Sequence, residues 1–461
     1  MRLSSVLRWI SCMLVLGALT LGPAWAWRTV VPADGVVAQG LRVGGSPVAA
    51  AASPRAAAEA AAEGMLRRRV TLRYGSDTLG DVTAKELGGS VDLDHLERDI
   101  ASVGHKGGWA TRLVMALGAR RGEVEVPVRL SLPVEPLAHR LERYKDEHDT
   151  RPKAARLDLA AHTASAHEAG RYLDVYAAVA TVHHALQSAL AVAEVPPYLE
   201  APRATTEAVL RIDASTVVSQ YETRFGFAGG QAGRAQNIAR AAEQIRGVVL
   251  MPGDLLSFND IVGPRTEDNG FATAPEIYKG EMRDGVGGGT CQVSGTLHAA
   301  ALFGGVDILQ RSNHSRPSGY IGLGLDATVV YPDVDLKLKN PYDFPLVVHT
   351  RVDRGVLRIE LRGRERPADV QLSTETIGVA AFKRKVEEAA WLDAGEIKLK
   401  QRGIRGISIR KTRRIHVHAG VGARERVEVT TDVYPPTLEI YVVSPGADLE
   451  SLLPPTPVEP G

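Results

Sequence analysis

The chain has 461 residues and a formal net charge of +1, which leaves no electrostatic footprint for nucleic acid. Its 44% hydrophobic and 24% charged fractions are those of a globular protein. With 7 Phe and 5 Trp, a base-stacking or sugar-platform surface is disfavoured.

Residues 1–26 read as a secretory signal. Arg2 and Arg8 supply the positive start, Met13 to Leu21 the apolar centre, and Ala24-Trp25-Ala26 the cleavage site. The apolar run is short for a membrane span, so a membrane is expected as a partner only if the signal stays uncleaved. The expected location is the periplasm or cell envelope. Cys12 follows Trp9-Ile10-Ser11 and precedes the apolar run, which does not suit a lipoprotein cysteine. It would leave with the signal, and Cys291 would remain as the single thiol of an exported chain, a free reactive group or one half of an intermolecular bridge.

After the signal, length allows about three domains. Residues 27–66 read as a linker, with an alanine-rich run broken by Pro54. Residues 67–211 read as an α+β repeat. Val70 to Tyr74 alternates as a strand, the Gly88 to Asp94 segment leads into a helix from His95, and Glu123 to Leu132 alternates again. Pro136 to Tyr144 is helical and Ala155 to Leu159 a strand. Ala169 to Asp174 repeats the glycine-to-aspartate entry before a helix from Val175 to Leu190. The strand, GRYLD and helix order, followed by Glu194-Val195-Pro196-Pro197, resembles the peptidoglycan-binding domain that precedes some exported L,D-transpeptidases.

The most informative stretch is Val286 to Ala301, VGGGTCQVSGTLHAAA. A glycine-rich turn sets a thiol at the start of an amphipathic helix, where unpaired N–H groups and a partial positive charge favour a thiolate. Cys291 is the candidate nucleophile, and N–H groups from Gly289 to Gln292 the candidate oxyanion donors. Strand Val218 to Phe225 and helix Gln236 to Arg246 precede it. His298 lies two turns along the same helix, about 10 Å from the thiol and out of reach. His314, in the polar loop RSNHSRP, is the candidate base. Asp326 is the candidate for fixing its tautomer. Ser315 is read as orienting the ring, Arg311 or Arg316 as holding a carboxylate, and Tyr320 as donating to a substrate carbonyl. Gly288, Gly289, Gln292 and Ser294 join the binding set, and Asn259 and Arg265 shape the pocket.

The pieces TRF, NIARAAEQIRGVVLMPGDLLSFND, VGPRT, GGGTCQVSGTLHAAAL, RSNHSRP, LDATV and DLKLKN, in this order, resemble a VanW domain, bounded here as 212–365. The resemblance implies an exported cell-wall protein. Some members are regarded as L,D-transpeptidases with the motif cysteine as nucleophile, and others have no assigned activity. The loop histidine and its following serine match the family, whereas the position of His298 more often carries Asn.

Leu346 to Leu361 alternates as a hairpin turning at Asp353-Arg354-Gly355. Residues 366–448 are strand-rich and resemble the small β module named for its five glycines, with some of them absent. His416 and His418 read as a solvated strand face, and residues 449–461 as a disordered tail.

The fold class expected is α+β multidomain. The function expected is a cysteine L,D-transpeptidase-like acyltransferase acting on peptidoglycan stem peptides. The alternatives are a non-catalytic peptidoglycan-binding or envelope-assembly factor, and a cysteine amidase or peptidase. No cofactor and no metal are expected: nucleotide-loop and zinc-protease motifs are missing from the sequence, and Cys291, His298 and His314 lack metal-ligand spacing.

Overall fold

The computed structural model describes residues 27–49, 51–278, 281–418, 424–449 and 453–455. The signal, Cys12 and most of the expected tail lie outside them. The chain folds as two compact units. One runs to Pro152 and includes Ala169–Glu200, and the other takes Lys153–Glu168 and everything from Ala201. Helices and strands are both plentiful, as an α+β protein requires.

In the first unit, strand Arg69–Tyr74 pairs antiparallel with Asp77–Thr83 and parallel with Val192–Glu194. Five helices surround them, from Pro54–Leu66 to Val175–Gln187. The two glycine-to-aspartate entries do the same job twice. Asp92 accepts from His95 N at 2.8 Å and Asp174 from Ala177 N at 2.9 Å, each capping its helix. The expected strand Glu123 to Leu132 is two short pieces, Glu125–Val126 and Leu130–Ser131, split around Pro127, which has no N–H for a ladder.

The expected linker is part of this core. Val37, Leu41, Ala57, Ala58 and Met65 are buried with Leu72, Val82 and Ile100. Ser53 caps the alanine-rich helix, and Pro54 sits at its first turn, where a missing N–H costs nothing. Small alanines let that helix pack closely, which composition alone reads as featureless. Hairpin strands Leu157–Asp158 and Thr163–Ala164, expected in the first domain, belong to the second unit instead. Ala155 and Leu157 pack there with Val209, Val249 and Val347.

The second unit is built on an antiparallel sheet ordered Thr216–Arg224, Val356–Gly363, Leu346–Asp353, Val249–Leu250. The middle pair is the expected hairpin, with Arg354 and Gly355 both at positive φ, as a tight two-residue turn demands. Helix Ala232–Ile245 buries Ile238, Ala241, Ala242 and Ile245 as its spacing predicts. Helix Thr290–Phe303 departs from expectation. It is buried all round rather than on one face, and its polar side chains are satisfied internally. Thr296 donates to Gln292 O at 2.6 Å and bonds Thr223 at 2.9 Å.

Strands Ala368–Ala380, Gly406–Val417 and Arg424–Tyr434 form a second antiparallel sheet in the same unit. Buried Arg413 reaches from it to the carbonyls of Leu302 and Val306, at 2.7 and 3.0 Å. That contact explains why the expected VanW domain and β module form one body. His416 and His418 sit beside Glu425 and Asp369, and no cluster of metal-ligating side chains occurs among the described residues.

Candidate functional site

The glycine turn before Cys291 is fixed by close packing. Gly289 caps the helix at φ +107°, a conformation that a side chain would strain. Gly288 lies so close to strand Thr273–Tyr278 that a Cβ would stand 2.5 Å from the Ala274 carbonyl oxygen. Asn237 locks the turn, donating to the carbonyls of Ala272 and Gly288 at 2.8 and 2.9 Å. The N–H groups of Thr290 and Gln292 are taken by the carbonyls of Gly287 and Gly289. Those of Gly289 and Cys291 have no acceptor among the described residues. The expected set of oxyanion donors therefore narrows to these two.

Cys291 is partly buried in the first turn of its helix. Val329 N donates to its sulfur at 3.5 Å, and the thiol reaches Val329 O at 3.6 Å. His314 lines the same cleft and favours the thiolate, while the hydrogen bonds of ordinary geometry at the sulfur go to Val329. Burial raises the thiol pKa, but His314, the Val329 N–H and Arg265 together bring it below the ordinary value.

The sequence-predicted group comes together. His314 Nδ1 donates to Asp326 Oδ2 at 2.7 Å, and the His314 main-chain N–H donates to the same oxygen at 2.8 Å. That bond leaves Nε2 as the nitrogen able to handle the thiol's proton. Burial lowers the His314 pKa, yet Asp326 and Cys291 raise it to about 9. For Asp326, burial works against ionisation and is overcome by His314, Arg311 and Tyr434, which hold its pKa below the usual carboxylate range. Cys291, His314 and Asp326 form a line from a thiol through an imidazole to a buried carboxylate.

Cys291 and His314 open into a cleft of about 600 Å³. Among the described residues, Arg234, Arg265, Arg283 and Arg316 line it, against one acidic residue, Glu276, already paired with Arg283 at 2.9 Å. Arg234 reaches Gln292 Oε1 at 2.6 Å and lies 5.7 Å from the Tyr320 ring centroid. Tyr320 in turn packs edge-on to His314. Arg316 Nε and Thr328 Oγ1, buried on this lining, have no hydrogen-bond partner of ordinary geometry, and Ser318 Oγ and Tyr320 Oη have at most each other. Buried polar groups in native proteins are seldom left so, and such atoms gathered on one cleft fit a polar ligand.

Several expected binders do other work. Arg311 is buried between carboxylates, donating to Asp326 Oδ1 at 2.9 Å and to Asp432, so it has no free edge for a substrate. Ser294 is fully buried and donates to Ala327 O at 2.7 Å, pinning the helix to the Asp326 segment. Gln292 is held at both ends, accepting from Arg234 and donating to Thr223 and Arg224 O at 3.0 Å. Ser315 is off the cleft lining, and Asp326 orients the ring in its place. Gly288, Gly289, Gln292, Arg316 and Tyr320 do line it, Gln292 with its amide already engaged. Asn259 acts at one remove: its Oδ1 accepts from Arg265 at 2.8 Å, holding that cation on the cleft. His298 is buried against Leu325 O at 2.8 Å.

Sequence reasoning missed Arg234, which lies two residues before the expected helix Gln236 to Arg246 and inside the observed one. It also missed Tyr434, which lies more than a hundred residues downstream and donates to Asp326 Oδ1 at 2.5 Å.

Residues 233–362 match the family described as "VanW like protein", and residues 80–190 the family described as "Putative peptidoglycan binding domain". Among curated proteins, the chain is 37% identical over 168 residues to "Uncharacterized protein YoaR" of Bacillus subtilis (strain 168), covering 36% of this chain and 54% of that protein. It is 24% identical over 180 residues to "Vancomycin B-type resistance protein VanW" of Enterococcus faecalis (strain ATCC 700802 / V583), covering 36% and 66%. The matches thus span less than two thirds of either relative's length. The solved "IgA1 Protease G5 domain structure" aligns over 17% of this chain and 90% of its own at 22% identity and a TM-score of 0.12, too low for anything to follow from it. Residues 233–362, which contain Cys291, His314 and Asp326, are a VanW-like domain, preceded in the chain by a domain of the peptidoglycan-binding type.

Proposed function

We propose that this protein is a cysteine acyltransferase of the cell wall, acting on peptidoglycan stem peptides in the manner of an L,D-transpeptidase. The observation that carries the reading is the line Cys291–His314–Asp326 opening into a cationic cleft with unpartnered polar groups. His314 holds the thiol's proton as an imidazolium, which leaves Cys291 as a thiolate. The thiolate attacks the carbonyl carbon before the terminal residue of a tetrapeptide stem and forms a carbon–sulfur bond. The Gly289 and Cys291 N–H groups are the donors nearest the developing oxyanion. The carbon–nitrogen bond breaks as the leaving amine takes its proton from His314. An acceptor amine then attacks the thioester, His314 takes its proton, and the thiolate is released.

Stem peptides end in carboxylates and carry several amides. Arg316 and Arg234 suit the former, and Tyr320, Ser318 and Thr328 the latter. Water in place of the acceptor amine would make the same centre a hydrolase. The chain's export and its association with peptidoglycan through residues 80–190 belong to the same reading.

Intact-protein mass spectrometry after mixing with disaccharide-tetrapeptides tests it. The wild type should gain an acyl adduct or yield cross-linked dimers or free D-alanine, and Cys291→Ala should lose all three while keeping its fold. A wild type that gives neither adduct nor product with tetrapeptide or pentapeptide stems, yet sediments with sacculi, is a binder and not an acyltransferase.

A further inference from the structure

Asp326 is held from both sides. Oδ2 faces the His314 ring and main-chain N–H, while Oδ1 accepts from Arg311 at 2.9 Å and from Tyr434 at 2.5 Å. Tyr434 belongs to strand Arg424–Tyr434, in the sheet that follows the VanW-like match. The direction of its proton follows by elimination. Gly324 N–H donates into the Tyr434 oxygen at 2.8 Å, so the phenol's single proton goes to Asp326. Tyr434 is 1% exposed, and no solvent competes for that bond.

The same sheet supports Arg311. Asp432, two residues before Tyr434, pairs with Arg311, and Lys411 pairs with Asp432 at 3.0 Å while donating to Gly324 O at 2.8 Å. Two cations and two carboxylates thereby share one buried cluster behind the imidazole.

We infer that the C-terminal β sheet completes the thiol centre, with Tyr434 as a positioning residue that fixes the Asp326 carboxylate so that His314 faces Cys291. The inference deepens the acyl-transfer reading and rests on it for its importance, but its effect on the thiol can be read without any substrate. Without the phenol, Oδ1 keeps Arg311 as its donor, and the carboxylate can rotate away from the orientation that best faces the imidazolium beside the thiolate. Tyr434→Phe removes the proton and keeps the ring.

The test is iodoacetamide alkylation of Cys291 against pH, on the full chain. Tyr434→Phe should raise the pH of half-maximal reactivity by up to about one unit, the weight of one hydrogen bond to a charged group being the ceiling for an effect relayed through Asp326 and His314. Tyr342→Phe is the control. It removes another buried tyrosine hydroxyl, bonded to Gly304 O at 2.8 Å at the far end of the cysteine helix, and should leave the midpoint in place. A thermal melt reports folding for both variants. If Tyr434→Phe does not melt cooperatively, 4-aminophenylalanine against 4-fluorophenylalanine at position 434 repeats the comparison, donor against no donor, at nearly constant volume. An unchanged midpoint in the folded Tyr434→Phe protein, or an equal shift in both tyrosine variants, overturns the inference. A shifted midpoint in a protein that stem peptides never acylate keeps the inference and removes the acyltransferase.

Discussion

Two regions of the VanW-like domain each bury a histidine, and the surroundings drive the two in opposite directions. His298, inside the cysteine helix, is 1% exposed and meets the main-chain carbonyl of Leu325. Burial, with Arg311 and Lys411 nearby, lowers its pKa to about 3. His314, at the cleft, is 4% exposed and meets the Asp326 carboxylate and the Cys291 thiol. Burial would lower it too, yet it rises to about 9. Burial sets the size of the penalty on charge, and the partner decides its sign. A histidine against a carbonyl is a neutral hydrogen-bond donor. One between a carboxylate and a thiol can carry a proton through a reaction.

Exchanging each ring for something inert should expose the contrast most strongly. His314→Ala should slow acylation by stem peptides by roughly 10²–10⁴-fold, the usual weight of a positioned acid–base group. His298→Asn, in which the amide can still donate to Leu325 O, should change the rate by less than about ten-fold, the net worth of a neutral hydrogen bond. Single-turnover acylation rates for the pair measure both. Equal losses would mean that the cleft histidine is structural.

Asp326→Asn cuts the partner that separates the two rings. It leaves the buried Arg311 and the His314 imidazolium short of one negative charge. Breaking a buried pair in this way costs about 3–5 kcal/mol. The variant should lose stability in denaturant titration to that extent, while its acylation rate falls less than that of His314→Ala. Adding Arg311→Met should recover part of the stability without recovering the rate. A fully stable Asp326→Asn protein would show that the cluster carries no charge of consequence.

What the sequence disclosed is uneven for a physical reason. The glycine turn, the helix start and the loop histidine are local signals, and each held its place in the fold. The aspartate after the loop could be named because few residue types orient an imidazole. Side chains on a helix buried all round gave no such guide. Ser294 looks like a cleft residue by its nearness to Cys291, but its bond runs to Ala327, and Gln292, though on the lining, has its amide bound to Arg234, Thr223 and Arg224. Arg311 looked free until Asp432, 121 positions away, supplied its second partner. Long-range pairing of that kind leaves no periodicity to read. In the first unit, capping aspartates were legible and the alanine-rich helix was not, since alanine marks a close contact only once its neighbour is known.

The smallest effect expected is in stability against pH, and it isolates His298. Its folded pKa of about 3 lies below the unfolded value near 6.5. Below pH 6.5 the unfolded chain therefore binds a proton that the folded chain refuses, and stability falls as pH drops toward 3. Asp326 also loses its contribution in acid, but from about pH 4 downward, because its unfolded pKa lies near 3.9 and its folded value is lower. Between pH 4 and 6 the inner histidine acts alongside His349, whose pKa burial also lowers, so the difference between wild type and His298→Asn isolates it, not the raw slope. His314 acts on the other limb. Its raised pKa adds stability that is complete below pH 6.5 and is lost as pH rises through about 9. Wherever the folded thiol is already ionised, Cys291 offsets this, since the unfolded chain then holds the thiol's proton in place of the imidazole's. His298→Asn should accordingly flatten the acid limb by up to about 1.4 kcal/mol per pH unit, one proton's worth, and leave the alkaline limb alone. Chemical denaturation at pH 4, 5, 6 and 8 reads the difference directly. An acid limb of unchanged slope would mean that His298 is protonated in the folded protein, and the contrast between the two regions would fail at its simpler end.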